Sequence, residues 1–73
     1  MELTISTDHY PSLFFKDRNS AVEAARKINF EYMDICLIEF DGEEIGYGLY
    51  NAVKEELVEK EDLHLYQRKY CGI

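Results

Sequence analysis

Between Asp34 and Tyr50, two segments rich in apolar residues lie on either side of an Asp-Gly pair. Asp41-Gly42 is a preferred pair for a two-residue type I′ turn, which needs positive φ at both central positions. The pattern therefore predicts a β-hairpin in which Phe40 opposes Glu43 and Glu39 opposes Glu44. The same register pairs Ile38 with Ile45, Cys36 with Tyr47, and Asp34 with Leu49.

The first strand of this hairpin has the composition of a buried strand. Its run from Ile35 to Ile38 is apolar on both faces, which is typical of a strand inside a sheet. Gly46 and Gly48 have no side chains, so we expect a shallow groove beside the apolar run. A ligand or peptide backbone could enter this groove, although a closely packed helix is the commoner occupant.

The residues before the hairpin predict two strands and a helix. Residues 2–6 alternate and predict a first strand, and the apolar run 13–15 predicts a second strand paired with it. Residues 20–29 carry apolar side chains at helical spacing and predict the main helix, which ends near Asn29. A capping box of Ser20 and Glu23 would begin this helix, with Asn19 or Asp17 as alternative caps.

The residues after the hairpin give a weaker pattern. Asn51 can cap a helix, and a short second helix is predicted over residues 51–60. Residues 62–71 fit either a strand, with Leu63 and Leu65 on one face, or a helix that groups Leu63 with Tyr66 and Tyr70. The strand is the favoured interpretation.

Together these elements predict an α+β fold over residues 1–73, as one compact domain. We expect a small antiparallel β-sheet packed on one main helix, with a short second helix and the approximate order ββαββαβ. A chain of 73 residues buries only about 60% of its unfolded surface, so its stability is expected to be marginal.

The acidic residues are concentrated in one half of the chain. Between Asp34 and Asp62, ten acids oppose only Lys54 and Lys60, for a net charge of −8, whereas the rest of the chain carries +1. Direct binding to nucleic acid needs clustered Lys and Arg and is not expected. An anionic membrane would also repel this surface, and no apolar run approaches the roughly 20 residues of a membrane span.

No motif predicts catalysis, a metal site or a cofactor. Cys36 and Cys71 do not have zinc-binding spacing. Two separate thiols without an export signal fit the reducing cytoplasm. His9 and His64 are isolated in the sequence, and Asp41-Gly42-Glu43-Glu44 lacks the ligand spacing of an EF-hand. We therefore expect a protein that is not an enzyme and needs no cofactor.

Six tyrosines accompany the acidic residues, and a chain of this size cannot bury all of them. Tyrosine is enriched at protein interfaces, so acid beside tyrosine suggests a surface that docks on a basic partner. The hypothesis is a small inhibitor or regulator that binds a partner such as a nucleic-acid-binding protein, with carboxylates in place of phosphates. By analogy alone, a phage-encoded inhibitor would suit this size and charge. The predicted contact residues are Glu39, Asp41, Glu43, Glu44, Tyr47, Tyr50, Glu55, Glu56 and Glu59.

Three other interpretations of these features remain open. The acidic residues could serve only to keep a small protein soluble. The chain could be a structural subunit that associates with itself as a homodimer, through a strand edge or its tyrosines. It could also be a small ligand-binding domain or enzyme that uses His9 or His64.

Overall fold

A computed structural model of the chain describes residues 2–28 and 30–70, with side chains described as far as residue 66. The fold is α+β, with the order βαβββα. Four strands form one mixed sheet in the order β1-β2-β3-β4, which curls into a half-barrel. The elements are β1 (Leu3–Thr7), α1 (Arg18–Ile28), β2 (Met33–Phe40), β3 (Glu43–Asn51), β4 (Glu56–Leu57) and α2 (Lys60–Tyr70).

The hairpin of β2 and β3 turns where the Asp-Gly pair predicts. Asp41 and Gly42 have φ values of 55° and 81°, as a type I′ turn requires. The first two predicted pairs are also confirmed, because Phe40 opposes Glu43 and Glu39 opposes Glu44. β2 lies between β1 and β3, so its apolar run does occupy a strand inside the sheet.

Beyond these two pairs the predicted register is wrong by one residue. Ile38 opposes Gly46, which leaves Ile45 as the extra residue of a β-bulge. Gly46 has φ of 156°, and a Cβ atom on it would overlap the carbonyl oxygen of Phe15. The bulge therefore occurs where only glycine lets the segment before α1 come this close to β3.

The predicted strand over residues 13–15 is wrong. This segment makes a single bridge, in which Phe15 and Tyr47 exchange backbone hydrogen bonds of 2.8 and 2.7 Å. It covers the edge of β3 that the two-residue β4 leaves open. β1 pairs instead with β2 in a parallel arrangement, after the chain crosses over through α1. The sheet is therefore mixed, and the predicted order ββαββαβ and purely antiparallel sheet are wrong.

The main helix forms close to its predicted position. Asp17 caps it, since the Ser20 N–H donates to the Asp17 carboxylate at 2.8 Å, so Ser20 lies inside the helix. Ala21 and Ile28 are buried against the sheet. The helix ends at Ile28, and the predicted conformation of Asn29 lies outside the described residues.

Asn51 caps a turn and not the helix predicted over residues 51–60. Its side-chain oxygen accepts the N–H groups of Val53 and Lys54 at 2.9 and 3.0 Å. Glu55 then has φ of 58°. This left-handed conformation ends the helical turn, so the chain does not continue into a helix. The chain enters β4 directly afterwards, so the short second helix is absent from this position.

The last described segment is α2, and the favoured strand over residues 62–71 is wrong as far as residue 70. Glu59 and Asp62 begin this helix with reciprocal bonds: the Asp62 N–H donates to the Glu59 carbonyl at 2.9 Å, and the Glu59 N–H donates to the Asp62 carboxylate at 3.3 Å. Tyr66 faces the core beside Phe30, in agreement with helical spacing. Cys71 lies outside the described residues.

The two faces of the sheet are covered differently. Both helices pack on the face that carries Ile35 and Leu49. On the inner face of the curl, Cys36 and Ile38 are fully buried because the sheet folds around them. The expected groove at the two glycines is filled: a Cβ atom on Gly48 would lie 2.5 Å from the Ile38 side chain, and Phe15 occupies the space at Gly46.

Candidate functional site

The hairpin end, residues 39–44, presents four of the predicted contact residues together. Asp41, Glu43 and Glu44 are exposed, and among the described residues they make no ion pair. Glu39 is half-buried opposite Glu44 and accepts a hydrogen bond of 2.9 Å from the Ser6 hydroxyl. Like charges that face each other across a sheet are destabilising, so this arrangement costs stability in the isolated protein.

Three aromatic rings adjoin these acids and form the ring cluster, Tyr10, Phe14 and Phe40. The Tyr10 ring packs edge-on against Phe14 at 5.4 Å and against Phe40 at 5.5 Å. Tyr10 nevertheless leaves 58% of its surface exposed, while Phe40 is the last residue of β2, directly before the acidic turn. The hairpin end therefore joins exposed aromatic area to uncompensated negative charge.

The predicted contact residues omitted the ring cluster. Tyr10 and Phe14 lie in the segment between β1 and α1, more than 20 residues before the hairpin end in the sequence. The parallel pairing of β1 with β2 brings Thr7 beside Phe40 and delivers this segment to the hairpin end. The sequence showed that this segment contains a tyrosine, Tyr10. It did not indicate which acids Tyr10 would lie beside.

The other predicted acids lie elsewhere. Glu55 and Glu56 are exposed at the turn between β3 and β4, at the far end of β3 from Glu43. β3, from Glu43 to Asn51, separates these two ends along the strand. The structure thus divides the predicted acidic surface into two separate groups.

Neither predicted tyrosine belongs to the hairpin end. Tyr47 is half-buried on the helix-facing side of β3, packed against the core and bonded through its backbone to Phe15. Tyr50 is half-buried on the other side of β3, opposite Asp34 in β2 and Leu57 in β4.

Glu59 takes part in a hydrogen-bond network that joins two segments distant in the sequence. Its carboxylate accepts the Ser12 hydroxyl at 2.6 Å and the Ser12 N–H at 3.2 Å, while the Ser12 oxygen accepts the Lys60 N–H at 2.9 Å. These hydrogen bonds, chiefly the one from the Ser12 hydroxyl, lower the pKa of the Glu59 carboxyl. Glu59 thereby ties the segment before α1 to the beginning of α2.

His9 lies beside two carboxylates, those of Asp8 and Glu59. His9 Nε2 lies 3.6 Å from the Glu59 carboxylate and Nδ1 lies 3.5 Å from Asp8, with the His9 side chain largely exposed. His64 is exposed on α2. Burial raises the pKa of the Cys36 thiol to about 11, so this thiol stays protonated at neutral pH and is inert. Among the described residues, no group of three or more His, Cys, Asp or Glu is placed to hold a metal ion.

Most of the described bases are close together in the sequence. Lys16, Arg18, Arg26 and Lys27 lie on α1 or directly before it, and Arg18 pairs with Glu2 at 2.6 Å.

No protein-family model, curated protein or solved structure matches this chain. Within the part of the chain that the structure describes, no helix is long and apolar enough to cross a membrane.

Proposed function

We propose that this chain is a non-enzymatic protein-binding module, an inhibitor or regulator, that docks its hairpin end on a basic surface of a partner protein. The observation that carries this proposal is the pairing of four acids with a partly exposed ring cluster at the hairpin end. Acids that destabilise the free protein are retained at a point where a cationic partner would relieve their repulsion. If the acidic surface served only to keep the protein soluble, there would be no reason for aromatic rings to lie beside it.

The two parts of the hairpin end have different physical roles in this proposal. Carboxylates steer the approach of a basic partner and set the association rate, which falls as salt screens them. The Tyr10 ring supplies contact area at low entropic cost once the surfaces meet. The type I′ turn fixes the direction of Asp41, so little ordering of the backbone is needed on binding.

The partner that best fits this chemistry is a protein whose own ligand is a polyanion. Such a protein presents clustered Lys and Arg to phosphates, and a row of carboxylates can occupy the same cluster. Binding there would compete with nucleic acid, which is how the module would inhibit or regulate its partner.

Association kinetics test the proposal. The partner is first captured at low salt with the tagged chain as bait, and its association rate is then measured against ionic strength. We compare two double variants that each remove two negative charges: Glu43→Gln with Glu44→Gln at the hairpin end, and Glu23→Gln with Glu31→Gln on α1 and the turn after it.

Under the proposal, the hairpin-end variant slows association and weakens its salt dependence, while the matched variant binds like the parent. Equal effects of the two variants would mean that only overall charge matters. If the association rate of the parent protein does not change with ionic strength, the proposal is wrong and the acidic residues serve only solubility.

A further inference from the structure

The half-barrel has one long strand edge without a neighbour. β1 pairs with β2 on one side only, and no backbone hydrogen bond on its other side occurs among the described residues. The opposite edge of the sheet is different, because β4 and Phe15 together cover β3 there. An unpaired row of N–H and C=O groups is a template for another strand.

A cavity lies along this free edge, between β1 and β4. It has a volume of about 340 Å³ and is lined by Ile5, Ser6, Thr7, His9, Glu56, Leu57, Glu59 and Asp62. We refer to this cavity as the seam. The link from Ser12 and His9 to Glu59 closes one end of it, so an extended segment would enter from the other end.

The sheet register divides the residues of the seam by chemistry. Ile5 pairs with Ile38, so it faces the inside of the curl. Leu57 also faces inward, because it lies close to the site of a Cβ atom on Gly48. Ser6 and Glu56 alternate with these residues and face outward, where Glu56 is exposed and makes no ion pair among the described residues.

We propose that the seam binds an extended segment of a partner protein in which apolar and basic residues alternate, added as a fifth strand beside β1. Its apolar side chains would contact Ile5 and Leu57 inside the curl, and its basic side chains would meet Glu56 and Asp62 outside. Main-chain bonds to β1 would supply affinity, and this alternation would supply specificity. The inference rests on the proposed function, since it specifies how a basic partner is held beside the hairpin end.

Charge favours this occupant over a second copy of the same chain. Among the described residues, the lining of the seam contains no Lys or Arg, so a bound segment must bring the positive charge itself. A second β1 would offer only Thr4 and Ser6 to the carboxylates, and two chains of net charge −7 would repel each other.

A defined peptide provides the test. The probe is the heptapeptide acetyl-Lys-Val-Lys-Val-Lys-Val-Lys-amide, and its control is the same peptide with N-methylated backbone amides, which keeps every charge but cannot donate to β1. Binding is followed by amide chemical shifts and by hydrogen exchange of residues 3–7. Glu56→Gln is compared with Glu55→Gln, an exposed neighbour that does not line the seam.

We expect the probe to bind, to slow exchange in β1 and to lose binding when N-methylated. Glu56→Gln should weaken binding by about two- to fivefold, as for the loss of one partly exposed ion pair, with a smaller effect of Glu55→Gln. Equal binding of both peptides, with shifts confined to residues 39–44, would overturn strand addition and leave docking by the hairpin end standing. Slow exchange in β1 without peptide, together with a dimer in sedimentation, would overturn it in favour of self-association. A failure of the proposed function would be recognised separately, from the association rate of the hairpin-end variant with the captured partner.

Discussion

Gly46 is the position where the structure departs most sharply from a regular hairpin, so Gly46→Ala is the most informative change to the fold. The new methyl group would overlap the Phe15 carbonyl and lie 3.1 Å from the Phe14 ring. The first overlap involves backbone, which cannot rotate away. Alanine must also adopt φ of 156°, a conformation that L residues rarely occupy.

The expected loss of stability combines two terms. A non-glycine residue in such a conformation costs roughly 1–3 kcal/mol. Displacing Phe15 breaks its two hydrogen bonds with Tyr47, at about 1 kcal/mol each. We therefore expect a total loss of about 3–5 kcal/mol, a large part of the 5–15 kcal/mol that typically stabilises a domain.

Gly42→Ala is the matched control, because it makes the same change at a glycine in the same hairpin. Gly42 has φ of 81°, and a methyl group there meets nothing within 4 Å. Only conformational strain of about 1–2 kcal/mol is expected at this position. The difference between the two variants therefore contains the contact with Phe15 together with the difference in backbone strain between the two positions.

Urea melts followed by circular dichroism measure both changes, and amide exchange of Phe15 and Tyr47 shows whether their bridge is lost. A protein of this size loses about 1 kcal/mol of stability per molar urea, so the two midpoints should differ by about 1–4 M. If Gly46→Ala costs no more than Gly42→Ala, the bulge and the bridge from Phe15 are both wrong.

Two further changes probe the inner face of the curl and the network at α2. Ile38→Ala removes a fully buried side chain and should cost roughly 2–5 kcal/mol in the same melts; a parent-like melt would mean that the curl does not enclose it. Ser12→Ala removes a hydrogen bond to the Glu59 carboxylate and the acceptor of the Lys60 N–H, and should cost about 1–2 kcal/mol at neutral pH. Because the folded state lowers the pKa of Glu59, the stability that this carboxylate contributes is present above its unfolded pKa and is lost as pH falls through the lower folded pKa. The difference between Ser12→Ala and the parent should therefore shrink in acid, and a difference that does not change with pH would contradict this role of Glu59.

Local chemistry in the sequence predicted the local structure well. The Asp41-Gly42 pair indicated its turn correctly because the φ preference of two residues decides it. The main helix and the burial of Cys36 likewise follow from short-range periodicity and composition. Asn51 was identified as a cap, but the same side-chain hydrogen bonds that begin a helix also hold a single turn, and Glu55 ends that turn.

The errors share a dependence on residues distant in the sequence. The bulge at Ile45 follows from the approach of Phe15, about 30 residues away, which no pattern within the hairpin records. The beginning of α2 is held in part by Ser12, 48 residues before Lys60. The parallel pairing of β1 also requires the whole α1 crossover, and it is this pairing that assembles the ring cluster beside the acids. The concentration of acids in one half of the chain can be read from the sequence. Their division into two groups could not be predicted, because it depends on how distant segments fold together.

Zero-length cross-linking tests the central claim, docking through the hairpin end, most directly. A carbodiimide joins a carboxylate to a lysine amine only when the two are in contact, so the complex with the captured partner can be cross-linked and mapped by mass spectrometry. The proposal predicts that the joined residues of this chain are Asp41, Glu43 and Glu44, and that Glu43→Gln with Glu44→Gln abolishes most of the product. Cross-links confined to Glu23 and Glu31, or to residues of α2, with none at the hairpin end, would contradict it.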